Sequence, residues 1–450
     1  MPSFIGSPVL VSRMRAAAFV LIAATAMLPV AASAQPYTLR QCIEISLRQS
    51  TDLLRAANDI ETADSYKKQA FGAFLPSLSA NGNWSRYDRD QIGLRGSELF
   101  TSRNSYSYSV RSGLVLFDGL ANFRNAERGI LSYQAAEFGR ERREQDVVFS
   151  VQSRFYNALR TRQLVKVNEA NLDRSRKQLD RVREFNRVGA VPQADVYRQE
   201  VQVGRDELAL LQVRHDEATA LLDLQAQLSL RPSDGFDVDA SGVAARVDSA
   251  DIVAYRMSLP PIEELVRQAI DRRSDVRQSE LAVESADKGV SSAFAGHLPS
   301  LTAFAQYGWN NLELAAFSTY DRFVYGLNIE VPLFSNFQVS TNVQRARIDK
   351  LNAEYARTDL NRTIASELRK ALNTLSTAEK NVEIAQRILH SAQEDHRIAS
   401  ERYSLGAGTL LDQIIAASNM TSAESDVVNA TFNYVIARHQ LDYHLGLMNY

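Results

Sequence analysis

Two periodicities divide this chain. Over residues 105–117, SYSYSVRSGLVLF, Tyr106, Tyr108, Val110, Leu114 and Leu116 fall on one side of an extended backbone, and Ser105, Ser107, Ser109, Arg111 and Gly113 fall on the other. Residues 322–334, RFVYGLNIEVPLF, repeat the device, with Phe323, Tyr325, Leu327, Ile329, Val331 and Leu333 set against Arg322, Gly326, Asn328 and Glu330. Their partners are LSANGNWSRY (78–87) and LTAFAQYGWN (301–310), which carry the only tryptophans, Trp84 and Trp309. Period two with one apolar and one polar face predicts two strand pairs. It suits a membrane barrel, with lipid outside and water inside, and also a half-buried sheet on a soluble core. Aromatics near the strand ends favour the membrane setting.

Between the strand pairs the period is helical. Residues 122–187 and 338–404 run without a breaker, and roughly 66 residues at 1.5 Å each make rods near 100 Å. In the second rod Leu375, Val382, Leu389, His396 and Tyr403 recur every seven residues, with Ala378, Ala385, Ala392 and Ala399 three after the first four. That is a heptad seam whose alanines admit a close neighbour. Ile384, Ile388 and Ile398 mark a flanking face, a second seam of the kind a helix in a closed ring needs.

The chain is also a module used twice. GAFLPSLSA (72–80) returns as AGHLPSLTA (295–303), the proline stopping a helix each time. Ala63-Asp64 lies 223 positions before Ala286-Asp287; Leu116-Phe117, Gly189-Ala190 and Asp195 lie 217 before Leu333-Phe334, Gly406-Ala407 and Asp412. This predicts a first repeat at 35–230, with strands over about 78–117 and a helical hairpin over about 120–230. A linker follows at 231–261. The second repeat spans 262–450, with strands over about 301–334 and a hairpin over about 337–447. Four strands cannot close a barrel and an open sheet leaves raw edges in lipid. If the strands are membranous, the barrel is shared: three chains give twelve strands, two give eight.

Residues 1–34 read as an export signal: Arg13 and Arg15, an apolar run with Pro29, then the small-x-small site Ala32-Ser33-Ala34. Removing them leaves 49 Lys+Arg against 53 Asp+Glu, a formal charge of −4. That balance, with no basic block, argues against a nucleic-acid partner. No later stretch is apolar for the length of a spanning helix. The single cysteine, Cys42, is predicted to be a small core residue, and it stands too far past the cleavage site for a lipid anchor.

Catalytic and cofactor chemistry is not legible. There is no phosphate-binding GxxxxGK[ST] and no HExxH. The pairs His390/His396 and His439/His444 do not have metal-ligand spacing. Gly406-Ala407-Gly408 reads as a turn between antiparallel helices. Asp234, Asp237 and Asp239 lack an EF-hand register and read as a solvated linker. No enzyme activity and no cofactor are expected.

In this order and in a duplicated chain, YTLRQCIEISLRQSTDL, HLPSLTA, VPLF, RYSLGAGTLLD and LDYHLGL resemble the TolC-type outer-membrane efflux factor family across essentially the whole mature chain. The resemblance implies an α+β membrane protein: a homotrimer with a twelve-stranded outer-membrane β-barrel, four strands per chain, continued by an antiparallel α-helical coiled-coil barrel in the periplasm. It implies an exit duct that meets a periplasmic adaptor and an inner-membrane transporter. It also implies that Tyr403 and Asp195 hydrogen-bond between hairpins when the duct is closed, and that Asp412 belongs to a carboxylate ring at the narrowest point. This chain departs at the second ring position, Ile415, and at Gly408 and Ala194, where an Arg–Thr link is expected. Val188-Gly189 and Leu405-Gly406, at the hairpin tips, are expected to dock the adaptor. For Asp195 and Asp412 a helix-start role is compatible with a gate role. A soluble periplasmic coiled-coil adaptor or scaffold is the competing function.

Overall fold

The computed structural model describes residues 36–95, 97–232, 235–241, 248–314, 317 and 320–448. The export signal and Asp234 lie outside them. The elements run α1 (Leu39–Gln49), α2 (Thr51–Gly72), β1 (Ser77–Arg95), β2 (Glu98–Phe117), α3 (Ala121–Arg187) and α4 (Gln193–Gln227). After these come α5 (Ser249–Ser258), α6 (Ile262–Arg272), α7 (Ser274–Phe294), β3 (Ser300–Asn311), β4 (Asp321–Glu330), α8 (Gln338–Ser404) and α9 (Leu410–His444).

The four strands form one antiparallel sheet in the order β1-β2-β3-β4. Its register keeps the two faces separate over long regular stretches, with irregularities between Arg86 and Gln91 and between Val115 and Phe117. Leu78 lies opposite Ser112 and Trp84 opposite Tyr106; Tyr108 meets Trp309, Leu114 meets Ala303, and Ala303 meets Leu327. Ser105, Ser107 and Ser109 of β2 meet serine and asparagine on β1, and Ser107 and Ser109 meet asparagine and glycine on β3. A one-residue slip within these stretches would have mixed the faces. The apolar face is largely bare: Phe323, Tyr325, Leu327 and Ile329 are 62–76% exposed, while Trp309 is covered by Tyr108 and Phe317. The strands pack chiefly on one another, and no helix covers the sheet. A half-buried sheet on a soluble core is therefore not what forms. β4 stops at Glu330, short of the expected 334, because Pro332 offers no N–H and constrains Val331 before it.

α3 and α8 are each 67 residues, and α4 and α9 each 35. α3 pairs with α4 towards one end and with α2 and α7 towards the other; α8 pairs with α9 and α7, and α9 also packs on α3. The heptad seam of α8 is buried at Leu375, Ala378, Val382 and Ala385, where it meets α9 residues such as Tyr434 and Leu441. Ile384, Ile388 and Ile398 stay 44–49% exposed, an unpartnered second seam.

Strand-to-helix junctions use left-handed backbone: Gly119-Leu120 at φ 69° and 72°, Asn336-Phe337 at 49° and 62°. At Gly119 a Cβ would stand 2.9 Å from the Ala295 carbonyl oxygen, so the junction requires glycine. Midway along the rods, α1 starts with a capping box between Thr38 and Gln41 and buries Cys42 completely, which pushes its thiol up to about 12. Beside it, Tyr37 bridges Val238 and stacks on Phe236 at 5.2 Å. The expectation of a solvated linker is corrected here. Asp237 and the Val238 carbonyl accept from Arg162 of α3, which Glu217 of α4 also holds at 3.0 Å. Asp239 caps Ser241. The linker also contains α5.

Candidate functional site: the hairpin tips

Both hairpins end in the same way. Val188 closes α3 and Gly189 follows at φ 76°, its N–H donating to Asn186, while Ala190 donates to Phe185 at 2.8 Å. Leu405 closes α8 and Gly406 follows at φ 71°; Gly406 donates to Tyr403 and Ala407 to Arg402 at 2.8 Å. This paired 6→1 and 5→2 pattern needs a left-handed residue, which glycine supplies without a Cβ penalty. The residue before each glycine points outward, Val188 61% and Leu405 81% exposed. Gly408 is also tight: a Cβ there would sit 3.1 Å from the Arg402 Cβ and 3.3 Å from the Tyr403 nitrogen.

Behind the turns the tip has a small core of its own. Val182, Val196 and Leu410 are buried, with Val191, Tyr403 and Ile414 packed against them. Ile414 turns inward while its neighbour Ile415 is 50% exposed, one turn beyond Asp412 on the same face of α9.

Asp412 occupies the third position of α9 and forms a reciprocal cap with Thr409. Its carboxylate accepts from the Thr409 hydroxyl at 2.8 Å and the Thr409 N–H at 3.2 Å, and the Asp412 N–H donates to the Thr409 hydroxyl at 3.1 Å. The Thr409 side chain, then the Thr409 backbone, hold the carboxyl below the usual aspartate range, with Arg402 adding to the effect. The helix-start role is thus present in the single chain.

The expected bond between Tyr403 and Asp195 does not form. The Tyr403 hydroxyl is buried without a hydrogen-bond partner. Burial first, and then the Asp195 charge, raise its pKa. Asp195 is instead engaged by Arg198, three residues along α4, at 2.8 Å. An i,i+3 partner on the same helix is always within reach, whereas Tyr403 must approach from the other hairpin.

What links the hairpins is a set of polar contacts that the heptad reading passed over. Gln178 and Gln413 exchange hydrogen bonds at 2.8 and 3.3 Å, and Gln413 also reaches Ser400 at 3.4 Å. Asn171 accepts from Thr421 at 2.7 Å, and Arg174 pairs with Glu424 at 3.0 Å. Their signal in the sequence was polar residues standing where a seam would be apolar. Among the described residues no cluster of His, Cys, Asp and Glu could hold a metal ion. His439 instead stacks on Tyr156 and hydrogen-bonds it at 3.1 Å, and His444 faces Glu367 at 3.3 Å.

Two long helical hairpins on a four-stranded sheet bare of any soluble core are matched by a known family. Its model, described as outer membrane efflux protein, matches residues 42–229 and 265–447. The chain belongs to the outer membrane efflux protein family. The outer membrane protein TolC of Salmonella enteritidis is 21% identical over 431 residues, covering 92% of this chain and 83% of TolC. The pyoverdine export outer membrane protein OpmQ of Pseudomonas aeruginosa is 25% identical over 401 residues, covering 87% and 81%. Among solved structures, the outer membrane protein VceC of Vibrio cholerae superposes with a TM-score of 0.75 at 16% identity, covering 91% of this chain and 96% of VceC. The family is one of outer-membrane channels, and the fold of this chain is theirs.

Proposed function

We propose that this protein is the outer-membrane exit duct of a tripartite efflux pump, conducting small molecules passively from periplasm to exterior. Three copies share a twelve-stranded barrel, and their hairpins continue it as a helical tube. One observation carries the reading: a four-stranded sheet with a largely bare apolar face and two unpaired edge strands, β1 and β4. In lipid each free edge would leave backbone groups unsatisfied at several kcal/mol apiece, so edge must meet edge in a neighbouring copy. The second seam on α8 and the exposed line Tyr197, Val201, Leu208 and Leu211 on α4 suit the same arrangement, since α4 and α8 are the outer members of the tip's helix row.

In this reading the tip turns, Val188-Gly189 and Leu405-Gly406, dock a periplasmic adaptor that links the duct to an inner-membrane transporter. Asp412 and Ile415 line the entrance, with Asp195 and Tyr403 behind them. The adaptor-or-scaffold alternative has no use for a lipid-exposed sheet. The test is the mass of the protein extracted from outer membranes in mild detergent, read by light scattering corrected for bound detergent. A trimer is expected. A monodisperse monomer with its strand content intact would overturn the shared barrel, and release from membranes by a high-salt wash would overturn the membrane placement.

A further inference from the structure

We infer that the barrel section of the duct carries a cationic belt, Arg111 with Arg322, that receives the anionic groups of passing cargo. The inference rests on the duct reading above, in which the polar face of the sheet lines the channel. The register puts both arginines on that face. Arg111 lies opposite Gln306, which lies opposite Val324; Arg322 lies one rung nearer the hairpin turns, opposite Gly308. Two strand spacings and one rung place the two backbones roughly 12 Å apart, within reach of one carboxylate or phosphate between two arginine side chains.

The charge of this belt is held in place without being neutralised. The Arg111 guanidinium donates twice to the Gln306 carbonyl oxygen, at 3.0 and 2.7 Å, and a neutral amide fixes its direction while leaving its charge intact. Arg322 meets no acid among the described residues. Arg103, further along β2, makes the contrast, because Asp90 pairs with it at 2.8 Å. On the polar face of the regularly paired rungs, on the helix side of the irregularity between Arg86 and Gln91, Glu330 is the only acid. It lies opposite Ser300 at the helix end of the sheet, six residues from Val324, or about 20 Å along the strand. That exceeds the roughly 8–10 Å over which charge is felt at physiological salt. Where a neighbouring copy's β1 closes against β4, its regular polar-face residues are Ser77, Ser79, Asn81, Asn83 and Ser85, all neutral. Rings of uncompensated charge set ion preference in narrow pores.

The experiment uses the whole protein in planar bilayers with inorganic tripolyphosphate added on the extracellular side. Wild type is expected to show reduced current, and Arg111→Gln/Arg322→Gln to need roughly tenfold more anion for the same reduction. Arg111→Lys/Arg322→Lys, which keeps the charge, should retain most of the block. If the double Gln variant fails to assemble, Arg322→Gln alone is read, with a smaller shift expected. Equal block in wild type and Gln variant, or no block in wild type, overturns the belt while leaving the duct in place. Absence of channel steps in the wild type itself overturns the duct reading instead.

Discussion

Gly189 and Gly406 allow docking at the tips to be separated from folding of the tips. Both have positive φ, 76° and 71°, and a Cβ at either would meet nothing within 4 Å. Substitution therefore costs backbone strain alone, about 1–2 kcal/mol per turn for alanine and much less for asparagine, which tolerates the left-handed region. The paired turn hydrogen bonds at 2.8–3.1 Å oppose unwinding, and the turns lie beyond the tip core of Val182, Val196 and Leu410. A double alanine change thus removes about 2–4 kcal/mol from two exposed turns without touching a buried contact. The Gly189→Asn/Gly406→Asn pair should keep efflux near normal. Gly189→Trp/Gly406→Trp adds bulk where a partner would sit and should abolish complementation of a strain lacking this protein, with its amount in the outer membrane undiminished. Wild-type complementation by the tryptophan pair would refute docking at these turns. Equal loss of the protein from the outer membrane in the asparagine and tryptophan pairs would show that the glycines serve the fold only.

At the entrance, Asp412→Asn should remove most of the current block caused by a multivalent cation added from the periplasmic side; unchanged block would leave Asp412 as a helix-start acid only. The Thr409 cap lowers the Asp412 pKa, so its contribution is full above the ordinary value of 3.8 and is lost as pH falls through the depressed value. Three carboxylates drawn together would push the other way. Thr409→Val should therefore move the pH midpoint of cation block upward, and an unmoved midpoint would dissociate the block from this carboxylate. At the sheet–helix junction, Gly119→Ala combines φ 69° with contacts of 2.9 Å to the Ala295 carbonyl oxygen and the Leu298 Cβ. It should cost more than the roughly 1–2 kcal/mol of strain alone and lower the unfolding temperature of the purified protein. Gly82→Ala, with open space around its Cβ, is the control that should not.

Much of this architecture was legible because two periods carry it. Alternation over residues 105–117 and 322–334 showed which side chains share a face, and pairing carries that assignment to β1 and β3 over the regular stretches between two irregularities, at Arg86/Gln91 and Val115/Phe117. Helix ends were legible from their stops: Pro76 and Pro299 follow α2 and α7 and precede a strand, and the glycines at 189 and 406 follow α3 and α8. Less legible was whatever depended on side chains meeting from distant segments. Arg162 reaches Asp237 across 75 residues and Gln178 reaches Gln413 across 235; a polar residue at a seam position hints at the second pair, but nothing local says which residue it will meet. Asp237 thus read as solvated when it is an anchor. Thr409 and Asp412, three apart, carry the ordinary signature of a cap, which is why the helix-start role could be seen beside the gate role.

The tip shows why residue types alone do not give a gate. Tyr403 and Asp195 are both present and close enough for one charge to act on the other, yet Arg198 holds the carboxylate and the phenol is left buried and unbonded. An unmade hydrogen bond at a buried hydroxyl costs about 1–3 kcal/mol, so this geometry has something to gain from a shift of Asp195 toward Tyr403. Arg198, 62% exposed, would lose only a surface ion pair of under about 1 kcal/mol. The two hairpins are meanwhile held by the Gln178–Gln413 exchange and the Arg174–Glu424 pair, contacts between flexible polar ends that can be remade one at a time. Gly408, packed against the end of α8, leaves no room for an arginine-sized link at that position without movement of the turn. The contacts that join the hairpins in this chain are therefore the amide exchange and the arginine–glutamate pair along the helices, and the tyrosine–aspartate bond is not among them.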